Sequence, residues 1–348
     1  MLRIMTPHRG FRLAAALTGI ATAALAGAGA SASAQTVEEF YKGKTISLVI
    51  GYSPGGGYDT YARLVARFMA DHIPGKPTIV PRNMPGASSR VAAAFVYNVA
   101  PKDGTVLATG DQSLSVAQAM GEKLQFDTTK FIYIGNPSAE NNTTVTWHTS
   151  PVKTIEDAKK TEVPVGATGG STSSQYPRAM NALLGTKFKV ILGYPGGNDI
   201  NLAMERGEVA GRGSNSWASW KATRPEWLKE KKINILVQIG LAKAPDLPDV
   251  PLLMDLGKND EDRQVLRLLS ASTHIGRPIF TAPGVPAERV AILRKAFDTM
   301  VHDPVFIEEA KREKFDIEPT TGEAMQKLVD EMMAAPAAQR ERLKKIIE

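Results

Sequence analysis

The run Thr45-Ile46-Ser47-Leu48-Val49-Ile50 is short, apolar and β-branched, and it stops at Gly51-Tyr52-Ser53-Pro54-Gly55-Gly56-Gly57-Tyr58-Asp59. Beyond that turn, residues 60–69 carry apolar side chains at helical spacing. The pattern predicts a buried strand, a glycine-rich turn and a helix. Three consecutive glycines let a ligand approach the backbone closely, because no Cβ stands in the way. The helix start offers N–H groups without intrahelical partners at the positive end of the helix dipole, which suits an anion such as a carboxylate. Asp59 or Thr60 is expected to cap that start. Glycine turns of this kind also occur without a ligand. Two phosphate motifs are excluded: no Gly-Lys-Ser/Thr follows, and the Gly-x-Gly-x-x-Gly spacing is absent.

The pattern continues with a strand at 78–80, a turn-rich loop at 82–89 and a helix at 90–99, whose Val91, Ala94, Phe95 and Asn98 share one face. Asp103-Gly104 turns the chain into a strand at 105–109. This βαβαβ order predicts a mainly parallel sheet with helices on its faces. Ligands of such sheets bind at the carboxyl ends of the strands. The loop 51–59 falls there, and so do Asp111, Gln112 and Ser113.

Strands at 131–135 and 143–148 lead into a second α/β region. A strand at 163–167 runs into a polar loop with Ser171, Thr172 and Ser173, where a helix at 175–184 begins. Such hydroxyl runs also fill turns and caps that bind nothing. A strand at 189–192 is followed by Gly193-Tyr194-Pro195-Gly196-Gly197-Asn198-Asp199 and a helix at 200–206. Gly-Tyr, Pro-Gly-Gly and an Asp at a helix start thus recur in the order of the first turn. Two such turns, in two α/β regions, point to two loops facing each other across a cleft.

Arg212 lies among small residues in 211–217, read as a strand-end loop. It is either a cleft guanidinium or a surface arginine. A strand at 233–239, an extended return segment at 270–281 and helices from 287 onward complete the chain. Those helices are expected to pack back on the first domain, making the second an insertion joined by two crossovers, as in a hinge.

A length of 348 residues suffices for two domains. The 42 basic and 36 acidic residues give +6, and removal of Arg3, Arg9 and Arg12 with a leader leaves about +3. That is too little to argue for nucleic acid. The leader, 1–34, combines this basic region with an uncharged Ala/Leu/Gly core at 13–30 and the small residues Ala32-Ser33-Ala34, so cleavage is expected before Gln35. A retained anchor is the alternative, but so Ala- and Gly-rich a stretch is a poor membrane span. There is no cysteine, hence no disulfide and no thiolate metal site. The five histidines, at 8, 72, 148, 274 and 302, lack ligand spacing, and no Gly-x-Ser-x-Gly elbow occurs. Asp59 and Asp199 are the best placed carboxylates for a general base, although helix capping explains both more simply.

The residues Pro54-Gly55-Gly56-Gly57-Tyr58-Asp59 with Ala62-Arg63, Arg82-Asn83 with Pro85-Gly86-Ala87, and Ala100-Pro101 with Asp103-Gly104 resemble the Bug family. These are the periplasmic solute-binding receptors of tripartite tricarboxylate transporters. Tyr194, Gly196 and Gly207-Glu208-Val209 extend the likeness over most of the chain. It implies a type II periplasmic-binding-protein fold, α/β, with two domains joined by a two-crossover hinge and the ligand cleft between them. Domain 1 is then 35–135 plus 273–348, and domain 2 is 136–272. Family members hold a ligand carboxylate through loops matching 54–59 and 194–199, partly by backbone and water, while 171–174 and 111–113 match the other cleft loops. The chain departs from the family at Leu202-Ala203, often Thr-Asp, at Ala210, often Asp, and at 110–113, so the ligand stays open.

The expected ligand-binding set is Tyr52, Pro54, Gly55, Gly56, Gly57, Asp59, Asp111, Gln112, Ser113, Ser171, Thr172, Ser173, Tyr194, Gly196, Gly197, Asp199 and Arg212. The expected function is a monomeric periplasmic receptor passing a small organic acid, a di- or other carboxylate, to a membrane permease, without cofactor, metal or nucleic acid. One rival is a receptor of the same fold for an aromatic or uncharged solute, or one feeding a sensor kinase, with Tyr52, Tyr58, Tyr194 and Trp217 lining the cleft. The other is a secreted enzyme using Asp59 or Asp199 as base.

Overall fold

The computed structural model describes residues 36–139 and 141–347; the expected leader and its cleavage point lie outside the described residues. The chain opens with α1 (Val37–Tyr41), β1 (Thr45–Ile50), α2 (Gly57–Met69), β2 (Thr78–Asn83), α3 (Arg90–Asn98), β3 (Val106–Thr109), α4 (Leu114–Ala119) and β4 (Ile132–Asn136). A second group follows: β5 (Asn142–Trp147), α5 (Ile155–Lys160), β6 (Val163–Gly166), α6 (Thr172–Leu184), β7 (Phe188–Ile191) and α7 (Gly197–Glu205). It ends with β8 (Gly211–Ser216), α8 (Trp217–Thr223), α9 (Pro225–Lys229) and β9 (Ile233–Ile239). Then come α10 (Asp260–Ala271), β10 (Ile279–Thr281), α11 (Ala287–Val301), α12 (Pro304–Arg312), β11 (Thr320–Thr321), α13 (Gly322–Met333) and α14 (Ala337–Ile347).

Two sheets result. The six-stranded one has the order β11-β4-β10-β3-β1-β2, and the five-stranded one β7-β6-β8-β5-β9. β1 pairs in parallel with β2 and β3, the βαβαβ unit expected from the sequence. β10 returns from the second group and inserts antiparallel between β3 and β4. In the second sheet β6 is parallel to β7 and β8, while β5 is antiparallel to β8 and β9. This is the two-lobed α/β architecture with crossovers between lobes at β4–β5 and again after β9.

Local chemistry explains the elements. β1 is almost wholly apolar because helices cover the parallel core of its sheet on both faces. β2 continues through Pro81 and Arg82 into the stretch read as loop, which an edge strand permits because Pro81 need donate no ladder hydrogen bond there. α2 buries Tyr61, Leu64, Val65 and Met69 against the first sheet. In the second lobe, Trp220 and Trp227 pack with Ile200 and Met204.

Several expectations are corrected. On α3 the buried face is Ala92, Ala93 and Val96, while Val91 is 48% exposed and Asn98 is also exposed. This helix is apolar nearly all round, so periodicity could not fix its rotation. The segment read as an extended return begins as helix: α10 runs to Ala271, a 3-10 turn spans Ser272–His274, and only Ile279–Thr281 forms a strand. Asn259 caps α10 and three acids occupy its first turn, a start signal that fixes the helix. Finally, α14 does not pack on the first sheet with its predecessors. It lies on α6 and α10, where Arg178 Nη1 donates to the Ile347 carbonyl (2.8 Å) and Arg342 pairs with Glu261 and Asp262.

The helices behind the cleft loops start earlier than expected. α2, α6 and α7 begin at Gly57, Thr172 and Gly197, with Gly56, Ser171 and Gly196 as N-caps. Asp59 and Thr60 therefore do not cap α2; both lie inside its first turns.

Candidate functional site

Between the two sheets lies a cavity of about 60 Å³. At roughly 10–15 Å³ per water position, it holds a compact solute or a few waters. The two Pro-Gly-Gly turns meet at its rim. Ser53 Oγ of the first turn donates to Asp199 Oδ2 of the second (2.5 Å). Gly56, Gly57 and Gly197 line the cavity, so the starts of α2 and α7 open onto it with their unpaired N–H groups. Glycine is required here by close approach. A Cβ at Gly57 would lie 1.9 Å from Ser219 Oγ, and one at Gly197 would lie 2.3 Å from Arg212 Nη2.

Arg212 sits inside β8 and not in a strand-end loop, which corrects the sequence reading. Val145 of β5 pairs with Arg212 and Thr143 pairs with Asn215, so an extra β8 residue is accommodated between them. Such a bulge re-aims side chains, and Arg212, Ser214, Asn215 and Ser216 all line the cavity. Arg212 Nη1 donates to the Gly197 carbonyl (3.3 Å) and to Asn201 Oδ1 (3.1 Å), and its guanidinium lies 5.4 Å from the Trp220 ring centre. Burial, with Arg224 nearby, pushes its pKa down to about 9, which leaves it protonated at neutral pH. Its Nε, Ser214 Oγ and Asn215 Nδ2 are buried without a hydrogen-bond partner among the described residues. A buried polar group left unpaired costs about 1–3 kcal/mol, so these atoms call for a bound solute or water.

The opposite wall comes from the first lobe. Tyr52 and Tyr58 stack with ring centres 4.9 Å apart. Tyr52 Oη donates to Asp111 Oδ2, while Ser113 donates to Asp111 Oδ1 through its N–H (2.8 Å) and its hydroxyl. Tyr58 Oη donates to the Gly276 carbonyl (3.2 Å) and accepts from the Gln112 N–H (3.0 Å). Burial, reinforced by the Asp111 charge, holds both phenols well above their ordinary pKa. Arg277 is 4% exposed, donates to Ser216 and to Ser219 Oγ (2.8 Å), and stacks on Tyr61 (3.8 Å). The floor beneath Asp111 is strained. Ala87, Ser88 and Ser89 have φ of 44°, 51° and 69°, a left-handed run unusual outside glycine. It is held because Ser89 Oγ donates to the Gly51 carbonyl (3.2 Å) and accepts from the Asp111 N–H (3.1 Å), while Ser88 Oγ reaches the Gly169 carbonyl of the other lobe.

Of the residues named from sequence, Tyr52, Gly56, Gly57, Asp111, Gln112, Ser171, Thr172, Ser173, Gly197 and Arg212 line the cavity. Pro54, Gly55, Asp59, Ser113, Tyr194, Gly196 and Asp199 do not. Pro54 and Gly55 are exposed at the turn's tip, and Ser113 stands behind Asp111. Gly196 meets Ser53, and Tyr194 packs with the tryptophan cluster of the second lobe. Asp59 turns away from the cavity and accepts from Gly55 N (2.9 Å), Asn83 Nδ2 (2.7 Å) and Arg63 Nε (2.9 Å). Burial alone would raise its pKa, but these bonds outweigh that and hold it low. Trp217, read as a cleft aromatic, donates to Asp246 Oδ2 outside the cavity (2.7 Å).

The sequence reading did not single out Asn142, Ser214, Asn215, Ser219, Gly276 and Arg277, all of which line the cavity. The row Ser214-Asn215-Ser216 carried a usable signal, being polar and small directly after Arg212. Gly276-Arg277 carried none, because its place depends on the return crossover. Among the described residues no group of His, Asp or Glu side chains is arranged to hold a metal, and no helix is long and apolar enough to cross a membrane.

Residues 61–348 match the family described as "Tripartite tricarboxylate transporter family receptor". The chain is 29% identical to a UPF0065 protein encoded in the gbd 5' region of Cupriavidus necator, over 87% of this chain and 88% of that one. Its fold is similar to that of the periplasmic binding protein BugD, with a TM-score of 0.70 at 20% identity over 88% of this chain and 98% of BugD. It is similar also to MatC of Rhodopseudomonas palustris with bound malate, with a TM-score of 0.69 at 21% identity over 88% and 99% of the two chains. With the two-lobed fold and the facing Pro-Gly-Gly turns, these matches make the chain a member of the tripartite tricarboxylate transporter receptor family, the Bug-type solute-binding receptors.

Proposed function

We propose that this chain is an exported, monomeric receptor that captures a small organic acid between its lobes and presents it to a transporter permease. The observation that carries the reading is the convergence of three positive features on one cavity: the α2 start, the α7 start and the Arg212 side chain. An anion at a helix N-terminus gains about 0.3–1 kcal/mol, and a charge-assisted hydrogen bond about 1.5–3 kcal/mol. Together these favour a carboxylate over its neutral amide by roughly a hundredfold or more. The malate bound by MatC supports the same chemistry.

Capture would proceed by closure, with 35–135 plus 273–348 and 136–272 as the moving bodies, except that α14 bridges them, bonded to α6 and α10 of the second and, through Arg340, to the Ala119 carbonyl of the first. Ser53–Asp199 and Ser88–Gly169 link the lobes once closed. Asp59 and Asp199 are both committed to hydrogen bonds within the protein, which favours a receptor over a catalyst. The aromatic-solute reading loses Tyr194 and Trp217, which stand outside the cavity.

The test is a thermal-shift and calorimetric screen of the mature protein, from Gln35 onward, against mono-, di- and tricarboxylates and their amides. A ligand at one hundred times its dissociation constant stabilises the folded state by about 2.7 kcal/mol. Midpoint rises confined to acids are expected. Silence across all acids, or equal response to amides, overturns the reading.

A further inference from the structure

The β8 side of the cavity wall is polar. Ser214 and Asn215 are 3% and 7% exposed, line the cavity, and leave Ser214 Oγ and Asn215 Nδ2 without partners among the described residues. Arg212 Nε is unpartnered beside them. Hydroxyls from Thr168, Ser171, Thr172, Ser173, Ser216 and Ser219 also line it, with the stacked rings of Tyr52 and Tyr58 opposite and Ile200 as the one aliphatic side chain among the described residues. A plain hydrocarbon chain bound here would leave these buried groups without a hydrogen-bond partner.

The charges are also arranged unequally. Arg212 offers a guanidinium with an unpartnered donor, whereas Arg277 is already partnered, by Ser216 and Ser219 among others. Asp111 faces the same cavity. A second carboxylate lodged near it would meet like charge, while a hydroxyl there would find an acceptor. Asp111 already accepts from Tyr52 and twice from Ser113, which leaves room for one neutral donor and too little for an ammonium group.

We propose, resting on the receptor reading above, that the cleft selects a short polyhydroxylated monocarboxylate, an aldonate-type acid, over plain aliphatic acids and over dicarboxylates. Its carboxylate takes Arg212 and the starts of α2 and α7. Its hydroxyls take Ser214, Asn215 and Asp111. A site built to hydrogen-bond a hydroxyl rejects the analogue that lacks it far more strongly than an apolar pocket rejects an extra methylene.

The experiment is titration calorimetry of the mature protein with three matched sets. These are glycerate, threonate and gluconate; their deoxy counterparts propionate, butyrate and hexanoate; and malate, succinate and adipate. At least one hydroxylated monocarboxylate is expected to bind about a hundredfold tighter than its deoxy counterpart, tenfold for each of two hydrogen bonds, and tighter than every diacid. The variant carrying Ser214→Ala and Asn215→Ala, checked for an unchanged melting midpoint, should lose most of that preference, read as the ratio of the two dissociation constants. A diacid binding tightest, or hydroxyls conferring no gain, overturns this inference and leaves the receptor reading standing. Preference undiminished in the double variant overturns the role given to β8. No binding by any acid overturns both.

Discussion

The two Pro-Gly-Gly turns carry the same sequence order and are wired in opposite directions. In the first, Asp59 is 2% exposed and folds back into its own lobe, binding Gly55 N, Asn83 and Arg63. In the second, Asp199 is half-buried and reaches across to Ser53 of the opposite lobe. The first carboxylate therefore shapes a turn, and the second joins two turns. One motif can thus serve folding in one copy and the joining of the lobes in the other, and only the partners tell which.

The largest expected effect follows from removing the inward carboxylate. Asp59→Ala leaves three donors without their acceptor and is expected to destabilise the protein by about 3 kcal/mol, near 1 kcal/mol for each bond. Because Arg63 is half-exposed, water recovers part of its share, so about 2 kcal/mol is the lower bound. Denaturant unfolding without ligand measures it. The folded-state pKa of Asp59 lies below its ordinary value, so its contribution is complete above pH of about 4 and fades as pH falls through the folded value. Wild type and Asp59→Asn should accordingly converge in stability on acidification. A constant gap down to strongly acidic pH would remove the carboxylate from the account.

Asp199→Ala tests the other half of the comparison. The loss of Ser53–Asp199 removes a contact that exists only when the lobes are together. Ligand-free stability should change by about 0.5 kcal/mol or less, whereas the dissociation constant should rise about fivefold to tenfold, mostly through faster release. If Asp199→Ala instead melts the free protein as severely as Asp59→Ala, the two turns are not differently wired.

The fold was legible because its cues are local and consistent. Alternating strands and helices in both α/β regions, and the repeated turn, named elements that form. What was not legible depended on partners distant in sequence. The small residues around Arg212 predict a loop, yet the strand forms because β5 and β6 flank it in the sheet. Gly213 is needed there because a Cβ would lie 2.0 Å from the Ser173 carbonyl, the one that Pro177 cannot engage within α6. Arg277 reaches the cavity only through the return of the chain from the second lobe. Asp59 and Asp199 were given one role on the strength of one motif, and their different neighbours gave them two.

The smallest expected effect separates closure contacts at the cavity rim from those on the outer surface. Lys221, on α8, pairs with Asp246 (3.1 Å) and with Asp316, whose backbone N–H and carbonyl are both tied to Tyr61 Oη (3.1 and 3.0 Å). The cluster thus links α8 and the loop after β9 to the segment behind α12, away from the cavity. Burial would lower the Lys221 pKa, but Asp316 and Asp246 outweigh it and raise it above the ordinary lysine value. Its contribution is therefore complete throughout neutral pH and is lost only as pH rises through that folded value. A half-exposed ion pair of this kind contributes about 0.5 kcal/mol. Lys221→Met should weaken ligand binding about twofold, with the effect shrinking as salt screens the pair in the wild type. An effect of tenfold, insensitive to salt, would mean that the outer cluster and not the Ser53–Asp199 contact governs closure, and the contrast between the two turns would lose its functional meaning.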